Sequence, residues 1–214
     1  MLKRLSQSLY ERSISSAYTQ RFKRKGASAE GVFWASEITQ IARFEHALIR
    51  LGAIFGNNSY QLADIGCGYG ALYAFMRATP RYHSVDYFGV DINASLIAHC
   101  QRQFIADSHR FRRGRSPQQM VDASLFIGTF NLCHTDDYSL WEDYICTQIA
   151  LSWQQTKTAM VVNMTSLKQP QIRNNIFYAE PERFASMLET RFGRTSFATT
   201  RYLTDDTSFV VTRR

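Results

Sequence analysis

The sequence predicts an α/β fold: a mostly parallel sheet covered by helices on both faces. Two observations predict it. Short β-prone runs alternate with segments of helical periodicity through most of the chain, and that alternation builds parallel strands joined by crossover helices. One strand-to-helix junction, Asp64-Ile65-Gly66-Cys67-Gly68-Tyr69-Gly70, is rich in glycine. Open α/β sheets place such turns at their ligand-binding edge.

The elements follow in order. Residues 2–24 read as a polar, helix-prone arm. Residues 36–51 carry Ile38, Ile41, Ala42, Leu48 and Ile49 at helical spacing, with Ser36 as N-cap. Gly56-Asn57-Asn58-Ser59 is a loop. Tyr60–Ile65 is a strand that feeds the glycine turn, and Ala71–Ala78 a helix closed near Pro80. Tyr87–Val90 is a second strand, and Ala94–Ile105 a helix capped by Asn93. Leu125–Phe130 reads as a buried strand, 138–153 as a helix and Ala159–Asn163 as a strand. Pro181 suits the first turn of a helix reaching about Phe192. Thr195–Tyr202 and Ser208–Thr212 flank Thr204-Asp205-Asp206-Thr207, which predicts a closing hairpin and an antiparallel strand. No linker divides the chain. We expect one domain over 1–214, with 1–55 as a helical arm or lid and 60–214 as the core.

Composition narrows the function classes. Hydrophobic residues make up 45% and charged residues 20% of the 214, which suits a folded domain rather than a disordered chain. Cys67, Cys100, Cys133 and Cys146 are scattered with no CxxC pair, so neither a metal site nor a disulfide framework is expected. The polar start Met1-Leu2-Lys3-Arg4 is unlike a signal peptide, and no apolar run reaches the ~20 residues of a membrane span. A cytoplasmic protein without a membrane partner is the expectation. The net charge of +7 gathers at Arg21, Lys23, Arg24 and Lys25, and at Arg110, Arg112, Arg113 and Arg115. Neither cluster carries the interleaved aromatics of a base-stacking surface. Both read as solvated faces, with a nucleic-acid partner as the alternative.

The glycine turn carries chemistry. Gly66, Gly68 and Gly70 let the backbone turn tightly and approach a ligand, and the following helix offers free N–H groups. The spacing is GxGxG rather than the GxGxxG of dinucleotide sites. Asp64, two residues before the first glycine, would repel a pyrophosphate but can pair with the ammonium group of an amino-acid ligand. A second acid, Asp91, ends Phe88-Gly89-Val90-Asp91, 27 residues further on, and an acid there can accept ribose hydroxyls. Its bland alternative is a helix-start aspartate before Asn93.

Together these residues resemble the class I S-adenosylmethionine-dependent methyltransferases. LADIGCGYG looks like their first motif, YFGVDIN like the second and SLFIGTFNL like the fourth-strand motif. The resemblance implies a Rossmann-like seven-stranded sheet with the last strand antiparallel, and S-adenosyl-L-methionine as cofactor. It implies that Asp64, Gly66, Cys67 and Gly68 line the methionine end, and that Asp91 and Ile92 line the nucleoside. Trp34-Ala35-Ser36-Glu37, Gln40, Arg43-Phe44, Asn163-Met164-Thr165 and Phe177-Tyr178-Ala179-Glu180-Pro181 are similar to segments of an uncharacterised bacterial subgroup. The chain departs from the family after the third strand. Phe111-Arg112-Arg113-Gly114-Arg115 lacks the acid that contacts adenine, and backbone groups, Asp122, Gln118 or Gln119 are the substitutes.

Further candidates complete the expected site. Trp34 is a lid wall, and Arg43 either grips the cofactor carboxylate or pairs with an acid of the protein. Asn131, directly after a buried strand, is expected at the crevice. His134, Asp136, Asp137 and Tyr178 are candidate bases, each with a structural alternative: a solvated histidine, helix caps, a core aromatic. The expected reaction is methyl transfer, more readily to a small molecule than to RNA or protein. A non-catalytic S-adenosylmethionine- or RNA-binding protein is the alternative from another class.

Overall fold

The computed structural model describes residues 2–213, with side chains from residue 8 onward. Helix α1 (Leu2–Lys25) leads through a 3-10 turn (Glu30–Val32) to α2 (Glu37–Phe55). Ser36 caps α2 by accepting from the Thr39 N–H, as its position predicts. Then follow β1 (Gln61–Ile65), α3 (Ala71–Ala78), β2 (Asp86–Asp91), α4 (Ala94–Gln103) and β3 (Phe111–Arg113). The chain continues with β4 (Val121–Ile127), α5 (Tyr138–Trp153), β5 (Thr156–Thr165), β6 (Gln171–Arg173), β7 (Ile176–Tyr178), α6 (Pro181–Arg191), β8 (Arg194–Thr199) and β9 (Asp206–Thr212).

Seven strands form one sheet in the order β3-β2-β1-β4-β5-β9-β8. β3, β2, β1, β4 and β5 pair in parallel, and β9 runs antiparallel between β5 and β8. The central strands are buried on both faces and accordingly read as apolar runs: Val121, Ala123, Leu125 and Phe126 on β4, and Ala159 to Val162 on β5. One layer of core lies around Trp141, Ile145, Phe184 and Phe209, the other around Leu48, Leu51, Leu62 and Leu125. The order reverses between β2-β1 and β4-β5, so the carboxyl ends of β1 and β4 diverge into a crevice.

Several expected boundaries move. The strand expected at Leu125–Phe130 runs from Val121 to Ile127. Gly128, at φ +66°, turns the chain out of the sheet, so Thr129 and Phe130 fold over the edge instead. The helix expected to reach Ile105 closes at Gln103 and continues as 3-10 turns. The stretch expected to follow the third strand contains it: Phe111–Arg113 is β3, and only Gly114 and Arg115 follow. The strand expected over Thr195–Tyr202 ends at Thr199, because Tyr202 has a positive φ of 67° inside the hairpin turn. The β6–β7 hairpin was not anticipated; its turn is Asn174-Asn175, both at positive φ, the type I′ signature.

α2 packs against β4 and β5, whereas α1 crosses the crevice. Tyr10 and Ile14 join the core beside Trp141 and Tyr144. Asn93 Nδ2 donates to the Ser15 carbonyl (2.8 Å) and Thr19 Oγ1 (2.9 Å). Phe22 meets His99 edge-on. The cover over the crevice is therefore α1 and the loop carrying Trp34.

Candidate cofactor site

The glycine turn after β1 is tied to the end of β2. Gly66 N–H and Cys67 N–H both donate to the Val90 carbonyl, at 2.7 and 3.1 Å. Gly66 adopts φ +83°, and a Cβ there would lie 2.6 Å from the Thr129 side chain, so the position admits only glycine. Gly68 is also left-handed, at φ +58°, but a Cβ there would meet nothing closer than Val32 at 3.9 Å. Gly68 thus leaves open space facing the crevice, where a ligand can approach the backbone.

The two acids sit on either side of this turn. Asp64 is buried, its Oδ2 accepting the Tyr87 hydroxyl at 2.7 Å, and among the described residues Oδ1 has no protein donor. Burial pushes its carboxyl up to about 7, against the lowering effect of Tyr87. Asp91 accepts from Gly68 N–H (3.0 Å) and Asn93 N–H (2.8 Å), and burial pushes it up to about 6. Each carboxylate oxygen carries two lone pairs, so Asp91 retains capacity for hydroxyl donors. Both readings of Asp91 hold, since Asn93 also caps α4 through Ser95 and Leu96 N–H.

These groups line one cleft that is open to solvent. Trp34, Asp64, Gly66, Cys67, Gly68, Asp91 and Ile92, all expected at the site, are in its wall. The Cys67 thiol is pushed well up by its neighbour Cys100 and by burial, so it is not a nucleophile. The residues fit an amino-acid nucleoside: an acid for an ammonium at one end, an acid for a ribose at the other, and a bare backbone between them.

Other expected site residues lie elsewhere. Arg43 is outside the wall; its Nε donates to buried Asp206 Oδ2 at 2.5 Å, and its guanidinium stacks on Trp34 at 4.7 Å. The expected grip on a cofactor carboxylate is replaced by the alternative, pairing with a protein acid. Asn131 braces the β6–β7 hairpin: its Oδ1 accepts from Thr165 N–H (3.1 Å), and its carbonyl from Phe177 N–H. It is absent from the wall because the chain has already left β4 at Gly128. His134 Nδ1 bonds Ser13 Oγ at 2.8 Å, Nε2 is buried without a partner among the described residues, and burial lowers the ring's pKa. Tyr178 lies on β7 under Arg173, and neither it nor His134 reaches the cleft. Asp137 caps α5 at Leu140 N–H, while Asp136 is exposed.

The side-chain substitutes for the missing acid also fail to reach. Asp122 is at the opposite end of β4, accepting from Gln61 N–H and Lys157 Nζ. Gln118 and Gln119 are exposed outside the wall. Of the basic clusters, Arg21 and Lys25 pair with Glu30, Arg115 with Glu11, and Arg110 with Asp86 and Asp107.

Several wall residues escaped the sequence reading. Ile14, Ser15 and Tyr18 come from α1, Thr129 and Phe130 from the turn after β4, and Tyr144 and Gln148 from α5. Gln40 accepts the Tyr69 hydroxyl at 2.9 Å, leaving its amide N–H groups toward the cleft. A glutamine on the apolar stripe of Trp141, Ile145 and Ile149 was the available signal for Gln148.

No family model matches the chain, and no curated protein matches it in sequence. Solved structures do. Magnesium protoporphyrin IX methyltransferase from Synechocystis PCC 6803, with bound SAM, aligns over 97% of both chains at 12% identity and TM-score 0.62. The 1,6-didemethyltoxoflavin-N1-methyltransferase of Burkholderia thailandensis, with bound 1,6-didemethyltoxoflavin and S-adenosylhomocysteine, aligns over 92% of this chain and 88% of that one, at 16% identity and TM-score 0.58. A DhpI–SAM–HEP complex aligns over 98% and 97%, at 13% identity and TM-score 0.55. With its seven-stranded order and its antiparallel β9, the chain has the fold of the class I S-adenosylmethionine-dependent methyltransferases.

Proposed function

We propose that this chain binds S-adenosylmethionine in the cleft and transfers its methyl group to a small molecule. The observation that carries the reading is the pairing of buried Asp64 and Asp91 across a turn whose Gly68 leaves its backbone bare. Two buried acids with raised pKa values are destabilising unless a ligand supplies charge or donors. An ammonium and a ribose supply both. The fold of the structural neighbours supports the same reading, and two of them are described with S-adenosylmethionine bound.

When bound, the cofactor supplies a methyl group that is already electrophilic. The protein's part is alignment and exclusion of water. Asp64 holds the amino group, Asp91 holds the ribose, and the Gly66–Gly68 backbone sets the depth. Trp34, braced from behind by Arg43, forms one wall, and Ile14 and Tyr18 of α1 form the cover. Among the described residues the wall holds no histidine, and burial pushes the Tyr18 and Tyr144 phenols up, away from a role as base. An acceptor whose nucleophile needs no proton removed suits this wall best. The aromatic lining of Trp34, Phe44, Phe126 and Phe130 suits an acceptor with an apolar body.

Thermal unfolding with S-adenosylhomocysteine, NAD and RNA tests the proposal. Selective stabilisation by S-adenosylhomocysteine, about 2.7 kcal/mol at a hundredfold excess over Kd, supports it. A response to NAD or RNA alone contradicts it. Transfer of a labelled methyl group into the low-molecular-mass fraction of an extract then tests the acceptor class.

A further inference from the structure

Gln148 is buried in the cleft wall, at 6% exposure, and among the described residues its amide has no hydrogen-bond partner in the protein. Its neighbours on the same face of α5, Trp141, Ile145 and Ile149, are fully buried in the core. An amide in a cleft wall with no protein partner keeps its donor and acceptor for whatever fills the cleft. A ligand that supplies the missing partners accounts for it.

The position indicates which part of the ligand. Tyr144, one helical turn before Gln148 and on the same face, also lines the cleft and lies within the electrostatic reach of Arg115 and Asp91. Ile92, which follows Asp91, and Gly114 and Arg115, which follow β3, are in the same wall. Through Tyr144, Gln148 is grouped with the wall residues that follow β2 and β3. The segment after β3 offers no side-chain acceptor there, and Arg115 is engaged with Glu11.

We propose that Gln148 reads the nucleobase of the cofactor. Its Oε1 accepts from the exocyclic amino group of adenine, and its Nε2 donates to the adjacent ring nitrogen. A carboxamide presents donor and acceptor side by side, which matches the edge of adenine. Purine without the exocyclic amino group offers no donor to Oε1 in either orientation of the carboxamide, so one of the two contacts is lost. This assignment rests on the reading of the cleft as an S-adenosylmethionine site.

The test is calorimetric titration of S-adenosylhomocysteine, and of its analogue whose base is purine without the amino group, into the wild-type chain, Gln148→Leu and Gln148→Met. The wild type should prefer the adenine compound by about tenfold or more. Both variants should lose about tenfold to hundredfold in affinity for it and bind the two compounds nearly equally. Their ligand-free melting temperatures should stay near that of the wild type, because Gln148 makes no hydrogen bond within the described residues. The preference is a ratio within one protein, so it reads out even where one variant folds poorly. Unchanged preference in both variants, with wild-type binding intact, overturns this assignment alone. Binding of neither compound by the wild type overturns the cofactor reading, and this assignment with it.

Discussion

Tyr87 donates its hydroxyl to Asp64 Oδ2 at 2.7 Å, from the start of β2 toward the end of β1, within the parallel ladder that joins the two strands. It is the protein donor that lowers the Asp64 pKa, against burial that raises it to about 7. Tyr87→Phe removes that donor. The midpoint of Asp64 ionisation should then move above 7, and affinity for S-adenosylhomocysteine at pH 7 should fall several-fold. A titration midpoint that stays in place would show that Tyr87 does not tune the acid.

The pH dependence of binding has a definite sign. Asp64 must be ionised to hold an ammonium. Affinity should therefore be full above about 7 and weaken as pH falls below it, and more steeply once Asp91 protonates near 6. The ligand-free protein should behave in the opposite sense. Its folded state keeps protons that the unfolded chain releases above 3.8, so its stability should decline as pH rises from there to about 7. Paired melting curves with and without S-adenosylhomocysteine, from pH 5 to pH 8, check both. Parallel curves across that range would contradict the account.

Gly66 and Gly68 should separate stability from binding. Gly66→Ala combines a positive φ with a Cβ 2.6 Å from Thr129 and should destabilise by about 1–3 kcal/mol. Gly68→Ala meets no neighbour within 3.9 Å, so it should cost about 1 kcal/mol in stability yet weaken cofactor binding tenfold or more. Urea unfolding read beside ligand titration distinguishes the two patterns. Equal binding losses in both variants, at equal stability, would contradict it.

Arg43 should matter through Asp206. Asp206 is buried and also accepts from Asn163 and Thr200, so Arg43→Ala leaves a buried charge without its cation and should destabilise by about 3–5 kcal/mol. Trp34→Ala removes the wall and keeps the pair, so it should weaken binding with a smaller loss of stability. Chemical unfolding of the two variants would contradict this if Trp34→Ala proved the more destabilising.

Asn93 links the cover to the cleft. Asn93→Ser keeps a side-chain acceptor for the α4 cap but loses the donors to Ser15 and Thr19 of α1. Hydrogen exchange in α1 should accelerate, and S-adenosylhomocysteine should dissociate faster. Unchanged exchange in α1 would show that the arm is held elsewhere.

The alternation of strands and helices, the caps at Ser36, Asn93 and Asp137, and the acids at the ends of β1 and β2 were legible because each depends on local sequence. The glycine turn was legible because backbone that must turn and stay bare has few sequence solutions. The contacts of Arg43 and Asn131 were not legible, for a different reason. Their partners, Asp206 and Thr165, lie 163 and 34 residues away, and no local pattern announces such pairs. Gly128 also ends β4 earlier than its apolar run suggests, which carries Asn131 past the crevice. The α1 contribution was hidden because its wall residues, Ile14, Ser15 and Tyr18, gain meaning only once the helix crosses the sheet edge. The short hairpin of β6 and β7 was hidden because its strands are three residues each.

The central claim is that Asp64 and the turn after it form a cradle for the amino-acid end of S-adenosylmethionine. Calorimetric titration of S-adenosylhomocysteine into the wild-type chain and Asp64→Asn at pH 8 tests it most directly. The account predicts binding by the wild type and a loss of at least about tenfold in the variant, the scale of a charge-assisted hydrogen bond. Equal affinity in the two proteins, or no binding by the wild type, would contradict it.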